Sequence, residues 1–414
     1  MKIPALLVFP LALFLLLLLL MVLHPGAATW GDSPTLTILP YLVFGMAALL
    51  GLFFAQSRVL FMALTLGILT LLLDHYVFGC QDLAKGSAIV FLAAVGVPAL
   101  TAALYRLSER GVFNPHGATR AMAIAFYLLV LALLPQIPSF GQAVRSTPYA
   151  LLKPISEWIT VPAIGLVAFV GSLPFLLTGK EHESPALGSL LYFALLFCFA
   201  GLAFESALWA GGKGEPALLL FMSGAGITLV WAVLESAWRH ANIDELTELP
   251  GRRVLKYHLR CLGSSYGIAV LDLDHFKSVN DKYGHEVGDH VRRFVAAELQ
   301  RSAAGATFRY GGEEFVIVAR NRELEDFVAD LESLRYSISQ REFVIRGPDR
   351  PARKPRRGSP NSSPRKRQAL PLTVSIGVAM SNPRCASPQE VLEAADRALY
   401  RSKENGRNRV TVGK

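Results

Sequence analysis

The sequence predicts two domains of different class: a multi-span α-helical membrane domain, then an α+β ferredoxin-like domain. Three observations carry this. Of 414 residues, 52% are hydrophobic and only 18% charged, whereas soluble domains run near 45–50% apolar and about 25% charged. That excludes a disordered chain and an ordinary soluble enzyme throughout. Apolar runs of membrane length recur as far as Trp238 and stop there. Beyond Arg239 the apolar residues fall instead into short strand-like runs and helical stripes. The domains are therefore 1–238 and 239–414.

A helix needs about 20 apolar residues to cross a bilayer, since each residue rises about 1.5 Å and lipid offers the backbone no partners. About eight segments qualify: Ile3–Leu23, Leu36–Phe54, Val59–Phe78, Ser87–Leu107, Arg120–Leu134, Ile159–Leu177, Ala186–Ala207 and Pro216–Trp238. Gly, Pro, Ser and charge fill the breaks, as in Gln136–Trp158. The first segment reads as an uncleaved helix; the alternative is a signal peptide with Gly26–Ala28 at its cleavage region. Either choice leaves the C-terminus on the same side. Loop charges lean that side inward, with Lys2, Arg58, Arg106, Arg110, Arg120 and Lys180 inside and Lys85, Arg145, Lys153 and Lys213 outside. Of the acids in or near the spans, Asp74 and Glu235 sit near ends where water reaches, and Glu205 is the best candidate for a buried polar site. No broken-helix pair argues for a transporter.

In the second domain Tyr266–Leu273 reads as a buried strand and Asp289–Leu299 as a helix. Thr307–Tyr310 and Phe315–Ala319 flank Gly311-Gly312 as a hairpin. Leu324–Gln340 is helical, Leu372–Ala379 a strand, and Pro388–Lys403 a helix stopped by Gly406. The order strand, helix, strand, strand, helix, strand, helix fits a ferredoxin-like sandwich. Asp272 and Asp274 share a face at the end of the first strand. If the glycine hairpin lies beside that strand, Asp272 and Glu313 converge as hard oxygen ligands, which suits Mg²⁺ and phosphoryl or nucleotidyl transfer. Lys277, Lys403 and Arg407 are cations for phosphates; each alone is more simply a solvated charge.

Taken together, these residues carry a resemblance. Arg309-Tyr-Gly-Gly-Glu-Glu-Phe315 is similar to the signature of the GGDEF domain, the diguanylate cyclase family, in its GGEEF form. The likeness continues through Asp272-Leu-Asp-His-Phe-Lys-Ser-Val-Asn280 to Asp289, Thr373–Val378 and Asp396–Asn408, covering about 243–413. It implies a nucleotidyl-cyclase or palm-like fold and a reaction in which two GTP condense to cyclic di-GMP, releasing two pyrophosphates. A homodimer is implied, each subunit holding one GTP. By the family's motif, Asp272, Glu313 and the Leu273 carbonyl hold Mg²⁺, or Mn²⁺ in its place. Glu314 is a further ligand or helps deprotonate the 3′-hydroxyl. Lys277, Lys403 and Arg407 neutralise the triphosphate, Gly311 and Gly312 let it approach, and Asn280 and Asp289 read guanine. The resemblance also implies a multi-pass protein of the bacterial inner membrane with its catalytic domain in the cytoplasm. The rival readings are a catalytically silent module that binds GTP or cyclic di-GMP as a receptor, and a transporter regulated by this domain.

Three departures stand out. The family's opening motif, Asp-x-Leu-Thr-Gly-Leu-x-Asn-Arg, reads here with Glu248 and Gly251 in place of Gly and Asn. The Arg-x-x-Asp product-inhibition motif is missing, with Ser302 and Gly305 at its ends, so feedback there is expected to be absent. Third, a basic, proline-rich insert occupies 346–370, where a short hairpin loop is usual. The net charge of +9 lies wholly after Trp238, and Arg346 to Arg367 hold nine basic residues against Asp349. Six prolines from Pro348 to Pro371 and dense like charge predict a disordered loop. A solvated insert is the bland reading and contact with anionic lipid the functional one. Nucleic acid is disfavoured, because no aromatics are interleaved to stack on bases.

Overall fold

The structure, a computed structural model, describes residues 3–23, 34–79, 83–107, 109, 111–146, 163–177, 185–209, 214–344, 369–382 and 387–413. It divides into two compact units, Met1–Ala237 and Trp238–Lys414.

The first unit is helical: α1 (Ile3–Leu23), α2 (Pro34–Phe53), α3 (Ser57–Leu73), α4 (Leu83–Arg106), α5 (Pro115–Leu133), α6 (Pro138–Ser146), α7 (Ala163–Leu177), α8 (Pro185–Trp209) and α9 (Gly214–Asn242). Each expected span falls on one of these. Thr35–Phe53, Ser57–Tyr76, Lys85–Arg106, Pro115–Gln136 and Ala217–Asn242 are long and apolar enough to cross a membrane, while Val8–Leu20, Ile164–Leu176 and Leu187–Leu202 are shorter. Large apolar side chains such as Leu49, Phe53 and Phe126 point out of this unit rather than into it. The expected break at Gln136–Trp158 contains α6, a helix of nine residues started by Pro138 and too short to read as a span.

Two charges expected in loops belong to the interior. Arg58 is 5% and Arg120 1% exposed, and both converge on Glu109. Glu109 also accepts from the Ser57 and Arg58 amides at the start of α3, and both guanidinium groups donate to the Leu107 carbonyl past the end of α4. Buried charge persists only when paired, so these arginines staple three helix ends together and are not free topology markers. Glu235, expected within reach of water, is buried as well. Asp74 accepts from Tyr41 at 3.4 Å; the Glu205 side chain lies outside the described residues.

In the second unit come α10 (Arg252–Arg260), β1 (Tyr266–Leu273), α11 (Phe276–Tyr283), α12 (His285–Arg301), β2 (Ala306–Arg309), β3 (Glu314–Arg320), α13 (Leu324–Gln340), β4 (Phe343–Val344), β5 (Ala369–Leu370), β6 (Val374–Met380), α14 (Pro388–Glu404) and β7 (Val410–Val412). The sheet order is β2-β3-β1-β6-β7, with β1 antiparallel to both β3 and β6 and β7 added parallel to β6. β1 is buried along its whole length, as its unbroken apolar run requires.

Alternation along the strands builds two cores. Ala269, Leu271, Phe315, Ile317 and Ile376 pack under α12 and α13. Ile268, Val270, Val316 and Val318 pack under α10 and α14. Helices thus cover both faces, where a simple ferredoxin-like sandwich has one covered; α10, α11, β5 and β7 are not among the elements the sequence pattern predicts, while β4 matches a strand expected around Phe343–Arg346. A capping box closes the start of α14, with Ser387 accepting from the Glu390 amide and Glu390 from the Ser387 amide. β4 pairs with β5 through Val344 and Ala369, so residues 345–368 leave and return at one hairpin stem. Residues 346–368 of the basic insert lie outside the described residues, and its last two, Ala369 and Leu370, form β5 rather than part of a loop.

Candidate active site

The two glycines form the β2–β3 turn, and one arginine clamps it. Arg309, the last residue of β2, donates through Nε to the Gly311 carbonyl at 3.1 Å and through Nη2 to the Gly312 carbonyl at 3.0 Å. Its Nη1 meets both carboxylate oxygens of Asp244 at 2.6 Å. Asp244 also accepts from the Thr247 amide and hydroxyl. Burial pushes the Asp244 carboxyl up, but the hydrogen bonds from Arg309 and Thr247 outweigh it and hold the group below the usual carboxylate range. The opening motif is thereby fixed to the signature turn.

Asp272 pairs directly with Glu314 across β1 and β3, so both project to the α14 face. Lys403, in the last turn of α14, reaches the Asp272 carboxylate at 2.9 Å. Burial raises the Asp272 carboxyl despite Lys403. Glu313 is raised too, first by burial and then by the negative charge of Asp272, with Lys403 pulling the other way. Arg407 adds positive potential at Asp272 and takes a left-handed backbone, φ 64°. Asp274, on the same face, accepts from the Thr373 and Ser375 hydroxyls and the Asn408 amide. It ties β6 and the segment after α14 to the end of β1, and so seats Lys403 and Arg407 near Asp272.

A Cβ at Gly311 would press on the Glu314 carboxylate, 2.7 Å away, while one at Gly312 would meet nothing within 4 Å. The space beside Gly312 is therefore open to a ligand. Among the described residues no three His, Cys, Asp or Glu side chains gather tightly enough to hold an ion by themselves. A hard divalent cation that keeps waters and takes phosphate oxygens needs only one or two carboxylates. A buried acid, Asp272, and a half-buried one, Glu313, whose carboxyl is raised in part by the charge of Asp272, fit such a cation beside a strand-end carbonyl.

The other expected residues lie on α11 and α12. Asn280 has a buried Oδ1 with no hydrogen-bond partner among the described residues. It fits there only because Gly288 has no Cβ, which would sit 1.9 Å from that oxygen. The next residue, Asp289, is ion-paired with Arg292. Lys277 is exposed on the first turn of α11. Sequence reasoning missed the roles of Arg309, Asp274 and Arg292. The first two stand inside the quoted motifs, but their partners are distant in sequence.

The missing inhibitory motif has a structural counterpart. Gly305 takes φ 153°, and a Cβ there would lie 2.4 Å from the Val318 carbonyl. An aspartate cannot occupy this backbone without rearrangement.

Comparison with known proteins follows the same outline. Residues 241–353 and 352–409 match the family model for the GGDEF domain of diguanylate cyclases, in two pieces that meet inside the basic insert. Diguanylate cyclase A of Treponema denticola is 34% identical over 169 residues, which is 39% of this chain and 40% of that protein. The response regulator PleD of Caulobacter vibrioides is 33% identical over 190 residues, 44% of this chain and 38% of its own. The chain thus spans well under half the length of these relatives. The crystal structure of the coiled coil and GGDEF domain of DgcB from Caulobacter crescentus, in complex with c-di-GMP, is 33% identical with a TM-score of 0.37, covering 44% of this chain and 90% of that one.

Proposed function

Since residues 241–409 form a GGDEF domain of the diguanylate cyclase family, we propose that this chain condenses two GTP into cyclic di-GMP under the control of a membrane-embedded sensory or anchoring domain. The observation that carries the reading is the meeting of Asp272, Glu313, Lys403 and Arg407 beside the clamped glycine turn. Acids for a metal and cations for a triphosphate stand together there, next to the space open at Gly312.

In this reading Asp272, Glu313 and the Leu273 carbonyl hold Mg²⁺ or Mn²⁺. When bound, the ion draws charge from the phosphate oxygens and lowers the pKa of the attacking hydroxyl. Glu314 is a further ligand or receives the 3′-hydroxyl proton. Lys403, Arg407 and Lys277 neutralise the triphosphate and the departing pyrophosphate. Asn280 and Asp289 orient guanine. Each 3′-oxygen attacks the α-phosphorus of the other GTP and the bond to the β-phosphate oxygen breaks, so two subunits must face each other.

The outward apolar helices of the first unit support a multi-pass protein of the bacterial inner membrane. Nine basic residues in 346–367 would add attraction to an anionic inner leaflet, up to about 1 kcal/mol each near the surface.

Membranes containing the chain, given GTP and Mg²⁺, should make cyclic di-GMP, and Glu313→Ala should abolish it. Nucleotide bound without any product from the wild type would favour the receptor reading. Persistent synthesis by Glu313→Ala would remove the metal assignment.

A further inference from the structure

Arg292 has no role in the reaction so far, yet its surroundings are specific. It lies on α12 one turn past Asp289, and its Nη2 donates to Asp289 Oδ1. Its Nη1 stands 3.4 Å from the Gly312 carbonyl, and its guanidinium carbon 5.5 Å from the centre of the Phe276 ring. The side chain is only 18% exposed, and Nε is buried with no hydrogen-bond partner among the described residues. An ordinary i,i+3 surface pair has no need of such burial.

Asp289 is thus flanked by two buried polar atoms without partners, the acceptor Asn280 Oδ1 and the donor Arg292 Nε. Buried polar atoms are rarely left so, and a ligand that supplies the missing partners is one explanation. The Watson–Crick edge of guanine presents, in order, the N2 amino donor, the N1–H donor and the O6 acceptor. The protein presents an acceptor at Asn280, a carboxylate acceptor at Asp289 and a donor at Arg292.

We propose that Arg292 is a specificity residue whose guanidinium donates to guanine O6, completing a three-part reading of the base. This rests on the assignment of Asn280 and Asp289 to guanine. Adenine would set its N6 amino group against the guanidinium and its unprotonated N1 against the carboxylate. Both contacts are unfavourable, so discrimination includes a repulsive component. Because the same guanidinium also faces the Gly312 carbonyl, it links the base end of the site to the signature turn.

The test uses the full chain in detergent and the 3′-deoxy forms of GTP, ITP, 6-thio-GTP and ATP. These lack the attacking hydroxyl and so bind without turnover. Each displaces a fluorescent GTP analogue. ITP lacks the N2 amino group, whereas 6-thio-GTP keeps both donors and weakens only the acceptor at position 6. Wild type should prefer the GTP form over the 6-thio form. Arg292→Leu should weaken the GTP form about tenfold, bring that preference close to one, and leave the GTP-to-ITP preference unchanged. Arg292→Lys should keep part of the preference.

A wild-type GTP-to-6-thio ratio in Arg292→Leu, or no such preference in wild type, would overturn the proposal. A loss of both preferences together in Arg292→Leu and Arg292→Lys would overturn it too, by reducing Arg292 to a structural prop. Asp289→Asn separates the two levels. If it leaves the GTP-to-ATP preference intact, the base assignment itself fails; if it abolishes the preference while Arg292→Leu changes nothing, only Arg292 is misassigned.

Discussion

Arg309→Lys tests whether the signature turn is held by a planar fork or merely by a positive charge. Lysine keeps the charge and can still pair with Asp244, but a single ammonium cannot also span the two carbonyls at 3.1 and 3.0 Å. Hydrogen bonds from charged groups contribute about 1.5–3 kcal/mol when buried. Here the bond to Gly312 is exposed, so about 1 kcal/mol for each lost bond is the fitting scale. About 2 kcal/mol in total corresponds to roughly 30-fold in the population of the ordered turn. Steady-state synthesis of cyclic di-GMP by membranes over a range of GTP concentrations should show kcat/KM reduced about 10- to 30-fold. Tm should fall by a few degrees at most, because the ion pair to Asp244 survives. Arg309→Ala should lose more and also lower Tm, since it strands a partly buried carboxylate. A wild-type kcat/KM for Arg309→Lys would refute the clamp.

The other expectations are narrower. Glu248 holds φ 57° on an exposed turn, a conformation that costs a non-glycine residue about 1 kcal/mol or more. Glu248→Gly should therefore raise the Tm of the C-terminal unit by about 2–4 °C; an unchanged or lower Tm would show that Glu248 makes compensating contacts. Asp272 and Glu313 have folded pKa values above those of ordinary carboxylates. Each favours the folded state while protonated, a contribution full below the unfolded pKa and lost as pH rises through the folded one. In EDTA, stability should thus decline as pH rises above the ordinary carboxylate range, less steeply in Asp272→Asn/Glu313→Gln. Added Mg²⁺ should stabilise more at pH 7 than at pH 5; equal stabilisation at both would contradict the metal assignment. Asp244 works in the opposite sense. Its lowered pKa gives stability present above the unfolded value and lost as pH falls through the folded one, and Asp244→Asn should remove that acid-side loss.

Much of this protein is written in local pattern. The limits of β1, from Tyr266 to Leu273, and of α13, from Leu324 to Gln340, agree with the sequence-based ranges, because period and breakers act over a few residues. The hairpin around Gly311 and Gly312 is legible for the same reason. Apolar length likewise marked every helix of span size, though not α6, whose nine residues carry no such signal.

Tertiary structure decided what charge does. Coulomb attraction and burial depend on which groups meet in space, and sequence separation hides this. Arg58 and Arg120 looked like solvated loop charges but are buried on Glu109. Asp274 shares a face with Asp272 in the sequence pattern, yet its oxygens accept from Thr373, Ser375 and Asn408, 99 to 134 residues on. Arg309 reaches 65 residues back to Asp244. Only the packing of α12 against α11 places the guanidinium of Arg292 over Phe276, between Asp289 and the signature turn. The sequence by itself pointed to two domains, to most of their longer elements and to the chemistry-bearing motifs. The fold decided which of those charges hold the structure and which are left around the open space beside Gly312.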